Sequence, residues 1–125
     1  MKRYLLVLIC LFFLITRLYK IGEIPSSVYW DEASIGYNAY SISQTGRDEW
    51  GELLPIHFRA FGEFKLPVYI YAAVPFIKIF GLNVFSVRLP AVLFSLGVVI
   101  LTYFLAKKLS GSTQISLLAS FFISI

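Results

Sequence analysis

The chain has 125 residues, 58% of them hydrophobic and only 14% charged, with a mean hydropathy of +0.79, which takes it out of the range of soluble domains and into a bilayer. Its formal charge of +4 is scattered at the ends of apolar segments; with no basic run or aromatic-interleaved patch to follow a phosphate backbone, nucleic acid is excluded as a partner. Cys10 is the single cysteine, so an internal disulfide or a cysteine metal site is excluded too.

The first element is an apolar run from Tyr4 to Ile15 behind Lys2 and Arg3, and its charge pattern is that of a secretory signal. The residues that follow, Thr16-Arg17-Leu18-Tyr19-Lys20, lack the small side chains a signal peptidase needs. A retained spanning helix over about residues 4–20 is therefore predicted, with Cys10 as a small lipid-facing or packing residue. Lys2 and Arg3 mark its cytoplasmic end, which makes residues 21–88 extracytoplasmic in a multi-pass protein of the cell membrane. At about 1.5 Å per residue the run falls slightly short of a hydrocarbon core of about 30 Å. Arg17 and Lys20 can snorkel to close the gap.

The outer segment holds every acidic residue and the only histidine, between Glu23 and Glu63. Carboxylates gathered beside a membrane are costly to place and point to a job. After Pro25-Ser26-Ser27 a helix is predicted from about Asp31 to Gln44, with Ile35, Ala39 and Ile42 on one face and Gly46 as its stop. Asp31 and Glu32 then occupy the first turn, where they also complement the helix dipole. Trp30, Tyr37 and Tyr40 suit a membrane interface.

Three apolar stretches follow: Leu66 to Leu82, Leu89 to Ala106 and Ile115 to Ile125. The second is long and clean enough to span, over about residues 89–108, and the third begins a further span at about 114–125. The first is interrupted by Lys78 and carries Pro67, Pro75, Tyr69 and Tyr71, features of a kinked helix lying at the interface. If it crosses instead, the counts of inner and outer cations nearly balance, and length favours the interfacial arrangement. Ser110-Gly111-Ser112-Thr113 reads as a turn between helices. The unfinished apolar run at Ile125 suggests the N-terminal portion of a larger protein.

One ordered set of residues carries a family resemblance. Trp30-Asp31-Glu32-Ala33 comes first, with Tyr37 and Ala39 after it. Phe64-Lys65-Leu66-Pro67 stands before the aromatic-rich stretch, and Phe80-Gly81-Leu82-Asn83-Val84-Phe85-Ser86-Val87-Arg88-Leu89-Pro90 leads into the spanning helix. The set resembles the start of a polyprenyl-phosphate-sugar glycosyltransferase, similar to the protein O-mannosyltransferases and to the bacterial transferases that add aminoarabinose to lipid A. The resemblance implies an all-α membrane protein: the N-terminal part of a multi-spanning domain of the GT-C type, whose outer loop contains juxtamembrane helices. One departure is local, since relatives often place proline directly after the lysine, and here Leu66 intervenes.

By the same resemblance Asp31 takes the family's first-loop acidic position, Glu32 the place beside it, and Lys65 that of the lysine before the juxtamembrane helix. The reaction implied moves a sugar, with inversion, from a polyprenyl-phosphate carrier to a hydroxyl or amine on an acceptor protein, lipid or glycan. Such chemistry needs a carboxylate more than an acid. The phosphate leaves as an anion, whereas the acceptor must lose a proton as it attacks, so Asp31 is the candidate general base. Glu32 supports it by hydrogen bonding or by holding a divalent cation, for which His57 is a second candidate ligand. Lys65, Arg59 and Arg88 are the candidate cations for the phosphate, and Tyr37 a candidate substrate contact. Each has a plainer reading: Arg88 and Lys65 as interfacial anchors, His57 as a solvated loop side chain, and Asp48, Glu49 and Glu52 as a wet face. Two other classes fit the composition, a transporter whose outer carboxylates bind a cation and a small non-enzymatic membrane subunit.

Overall fold

A computed structural model of the chain describes residues 2–60 and 62–125. The described elements run α1 (Lys2–Leu18), α2 (Trp30–Thr45), β1 (Phe58–Arg59), β2 (Phe64–Lys65), α3 (Pro67–Phe80), α4 (Val84–Ser110) and α5 (Thr113–Ser124). They form two compact units, one of residues up to Lys20 together with Ala91–Ile125, the other of Ile21–Pro90.

In the first unit α1 lies along α5, with the rings of Phe12 and Phe121 6.3 Å apart and Phe13 buried. Ser116, Ser120 and Ser124 recur every fourth residue on α5, and all three are buried. Side chains this small let helix backbones come close, and Ser120 Oγ donates to the Val99 carbonyl at 3.2 Å. The rest of these helices is largely exposed hydrocarbon, among it Leu101, Phe104, Leu105 and Phe122. At 27 residues α4 is about 40 Å long and is, among the described residues, the one helix long and apolar enough to cross a membrane.

Helix α4 begins five residues earlier than the expected start at Leu89. Asn83 and Ser86 explain the difference. Asn83 Oδ1 accepts the Ser86 amide at 2.9 Å and Ser86 Oγ accepts the Asn83 amide at 3.2 Å, a reciprocal cap that starts the helix before Arg88. Pro90 therefore lies inside the helix rather than at its edge.

The second unit is built on α2 packed against α3. Its core gathers Ala39 and Ile42 with Phe58, Ile70, Ala73, Ile77 and Val87, and Ile35 packs at the edge, so the predicted face of α2 is the one that points inward. Gly46 ends α2 in the left-handed conformation at φ 70°, with its amide donating to the Ile42 carbonyl at 2.9 Å. Helix α3 has 14 residues, about 21 Å, well short of the hydrocarbon thickness. Pro67 stands in its first turn, where a missing N–H costs nothing, and Pro75 lies inside it.

Candidate active site

Strands β1 and β2 pair antiparallel with Phe58 opposite Lys65 and Arg59 opposite Phe64. Directly opposed residues share a face of the ribbon, so the register sorts four side chains into two sets. Phe58 is buried in the core and Lys65 lies on that same face, within reach of α2; Arg59 and Phe64 take the other side.

Lys65 meets Asp31. Its Nζ stands 2.8 Å from Asp31 Oδ1, the lysine side chain 12% exposed and the aspartate 44%. The ammonium nitrogen is buried and makes no hydrogen bond to a described residue, so the close approach to Asp31 is an ion pair without a well-directed N–H···O bond. The carboxylate is on the open side of the contact.

Glu32, the next residue, is held quite differently. Arg88 Nε donates to Glu32 Oε1 at 2.8 Å and Arg88 Nη2 to Oε2 at 2.9 Å, the two parallel bonds that a planar guanidinium forms with a carboxylate. Arg88 Nη1 also donates to the carbonyls of Ile21, Ile24 and Pro25 at 2.9, 3.0 and 3.3 Å, and Nη2 to that of Ser27 at 3.4 Å. Every guanidinium nitrogen is thus engaged, and one side chain ties the 21–27 segment, the start of α2 and the start of α4 together. Glu32 Oε2 accepts the Tyr29 amide at 3.3 Å as well, which serves the N-terminus of α2 where Tyr29 offers no side-chain cap. The hydrogen bond from Arg88 holds the Glu32 carboxyl below its ordinary range, against the opposing effect of burial.

A second clamp fixes the loop after α2. Asn38, buried in mid-helix, donates through Nδ2 to Glu49 Oε1 at 2.8 Å and accepts the Glu49 amide on Oδ1 at 3.1 Å. Asp48, also buried, accepts the amides of Trp50 and Glu52 at 2.9 and 2.8 Å on Oδ1. Asp48 is therefore buried and builds the loop instead of joining the wet face that its sequence suggests, while Glu49 and Glu52 stay exposed as expected. The signal for Asn38 was available: its spacing from Ser34 and Ile42 puts a polar side chain on the core face of α2.

The remaining candidates line two cavities. Arg59 and His57 line a cavity of about 750 Å³ with Trp50, Glu52, Glu63 and Phe64. There the Arg59 guanidinium sits 4.9 Å over the Trp50 ring, and His57 meets Phe64 edge-on at 5.1 Å. Tyr37 borders an apolar cavity of about 360 Å³ between α2 and the start of α4, with Gly36, Leu82 and Val87. Glu32 and His57, the suggested cation ligands, thus line different cavities, and no group of three His, Cys, Asp or Glu side chains suited to a metal occurs among the described residues. Of the sequence candidates the structure brings Asp31, Glu32, Lys65 and Arg88 together around the first turn of α2, places Tyr37 on a cavity that Glu32 also lines, and leaves Arg59 and His57 apart.

Comparison with protein families gives a match over nearly the whole chain. The family model described as dolichyl-phosphate-mannose-protein mannosyltransferase covers residues 7–125. No curated protein and no solved structure gives a significant match. The match agrees with the resemblance carried by Trp30-Asp31-Glu32-Ala33 and Phe64-Lys65, and with a helical membrane fold of the GT-C class.

Proposed function

Because the chain belongs to the dolichyl-phosphate-mannose-protein mannosyltransferase family, we propose that its second unit supplies the outer-face catalytic loop of an enzyme that moves mannose from a polyprenyl-phosphate carrier to a hydroxyl on a protein acceptor. The observation that carries this reading is the difference between adjacent carboxylates. Asp31 is half-exposed and touched through one oxygen, while Glu32 has both oxygens bound to Arg88.

Asp31 is the general base in this scheme. The acceptor hydroxyl gives its proton to the carboxylate as its oxygen bonds to the anomeric carbon, and the bond from that carbon to the phosphate oxygen breaks with the electron pair leaving on the polyprenyl phosphate. Attack opposite the leaving group inverts the anomeric centre. Lys65 supplies positive charge for the departing phosphate. Glu32 and Arg88 act through position, fixing the first turn of α2 on which Asp31 stands. Arg59 and His57 line a different cavity from Glu32.

Positioned base catalysis is worth 10² to 10⁴-fold, about 3 to 5 kcal/mol of barrier. Asp31→Asn in the intact protein should lower mannosyl transfer at least ~100-fold with membrane insertion unchanged. Transfer near the wild-type rate would remove Asp31 from the role.

A further inference from the structure

We propose that the cavity of about 750 Å³ on the face of the β1–β2 ribbon away from Lys65 docks the acceptor polypeptide, and that it selects segments with a lysine or arginine a few residues from the hydroxyl. The inference rests on the reading of the chain as a protein mannosyltransferase and adds to it a class of acceptor.

The charge of the lining sets the sign of the ligand. Asp48, Glu49, Glu52 and Glu63 line the cavity against the single guanidinium of Arg59. Two of these carboxylates are spent on the fold: Asp48 Oδ1 accepts the amides of Trp50 and Glu52, and Glu49 Oε1 accepts Asn38 Nδ2. Glu52 and Glu63 are exposed, and neither side chain pairs with a described residue. Arg59 lines the same cavity, yet its guanidinium lies 4.9 Å over the Trp50 ring and forms no ion pair among the described residues. Two uncompensated carboxylates thus stay open to an incoming cation, and an anionic headgroup is repelled. A metal ion fits poorly, since no group of three His, Cys, Asp or Glu side chains suited to it occurs among the described residues.

The walls suit a long basic side chain. Trp50 and Phe64 are 60% and 66% exposed, and His57 meets Phe64 edge-on at 5.1 Å. Beside such rings the apolar stem of a lysine or arginine packs on an aromatic face while a carboxylate holds its charged end. The cavity volume of about 750 Å³ falls within the ~300 to 1,000 Å³ of ligand pockets. Strand register then sets where the hydroxyl lies. Phe64 faces the cavity, and Lys65, next along β2, faces Asp31 on the other side, so the two-stranded ribbon alone separates the cavity from the base. A chain crossing it travels about 10 to 15 Å, which an extended segment covers in about three to five residues at ~3.3 Å each. Basic residues at that spacing from a serine or threonine are the ones the cavity reads.

The test uses the intact detergent-solubilised protein and short fluorescent peptides built around one serine, with lysine, glutamine or glutamate about four residues away on either side. Binding is read by anisotropy without donor, and transfer by the mass of the peptide after addition of dolichyl-phosphate mannose. The lysine peptide should bind about three- to tenfold tighter than the glutamine peptide, the scale of two partly exposed ion pairs, and the gain should shrink as salt is raised. In the double variant Glu52→Gln, Glu63→Gln the two peptides should bind alike. In Glu52→Lys, Glu63→Lys the glutamate peptide should become the preferred one. Equal binding of the lysine and glutamine peptides by the wild type overturns the inference, as does a lysine preference that survives the double glutamine substitution. Transfer without charge preference would sink the docking cavity and spare the mannosyltransferase; charge-selective binding with no transfer would do the reverse.

Discussion

Two neighbouring carboxylates on one helical turn have opposite surroundings. Glu32 is drawn into a network that closes the 21–27 segment onto α2 and α4, and Asp31 is left with one cation and an open side. One acid fixes the peptide, and its neighbour keeps an open side. Variants that exchange the two situations should separate stability from transfer.

The largest loss of stability should follow Arg88→Met. It leaves Glu32 and four carbonyls without their donor, and removing one partner of a mostly buried pair costs about 3 to 5 kcal/mol. Melting of the detergent-solubilised protein measures it, and a variant as stable as wild type would contradict the network's role. Acid should open the same latch by a route that spares the sequence. The Glu32 carboxyl is held below its ordinary range by Arg88, so its contribution is complete above an unfolded-state value of about 4.3 and is lost as pH falls through the lower folded value. The contribution is about 1.5 to 3 kcal/mol for hydrogen bonds to a charged group. In melting curves recorded against pH, the gap between wild type and Glu32→Gln should be widest near neutrality and close below about pH 4.

Asn38→Ala removes the clamp between α2 and the loop at Glu49, and should cost about 1 to 2 kcal/mol, since the Glu49 amide loses its acceptor. Faster proteolysis within residues 47–54 would report it. The smallest effect is expected from Lys65→Gln, at most about 1 kcal/mol, because the carboxylate left behind is half-exposed and water can serve it. Transfer by that variant should nevertheless fall, so a drop in rate without a drop in melting temperature sharpens the contrast with Arg88.

Much of the fold could be read from residue spacing. The inward face of α2 followed from Ile35, Ala39 and Ile42, its end from Gly46, and the spanning character of α4 from an unbroken apolar run. Local signals failed at the start of α4, where Arg88-Leu89-Pro90 looks like a boundary and the Asn83–Ser86 cap overrides it. The site was legible only as a set of residue types. Asp31 and Lys65 are far apart in sequence, and Glu32 and Arg88 farther still, so no periodicity joins them. Their pairing depends on how α2, the β1–β2 ribbon and α4 come together. The ribbon register also separates Lys65 from Arg59, a distinction that charge counting has no means to make.

In the proposed enzyme Asp31 reacts and Glu32 holds the turn on which it stands. Measuring turnover and melting temperature together for Asp31→Asn and Glu32→Gln tests it most directly. Asp31→Asn should lose at least ~100-fold in kcat with its melting temperature kept, while Glu32→Gln should lose chiefly stability. Near-normal turnover in Asp31→Asn, with the chemical defect appearing in Glu32→Gln, would contradict it.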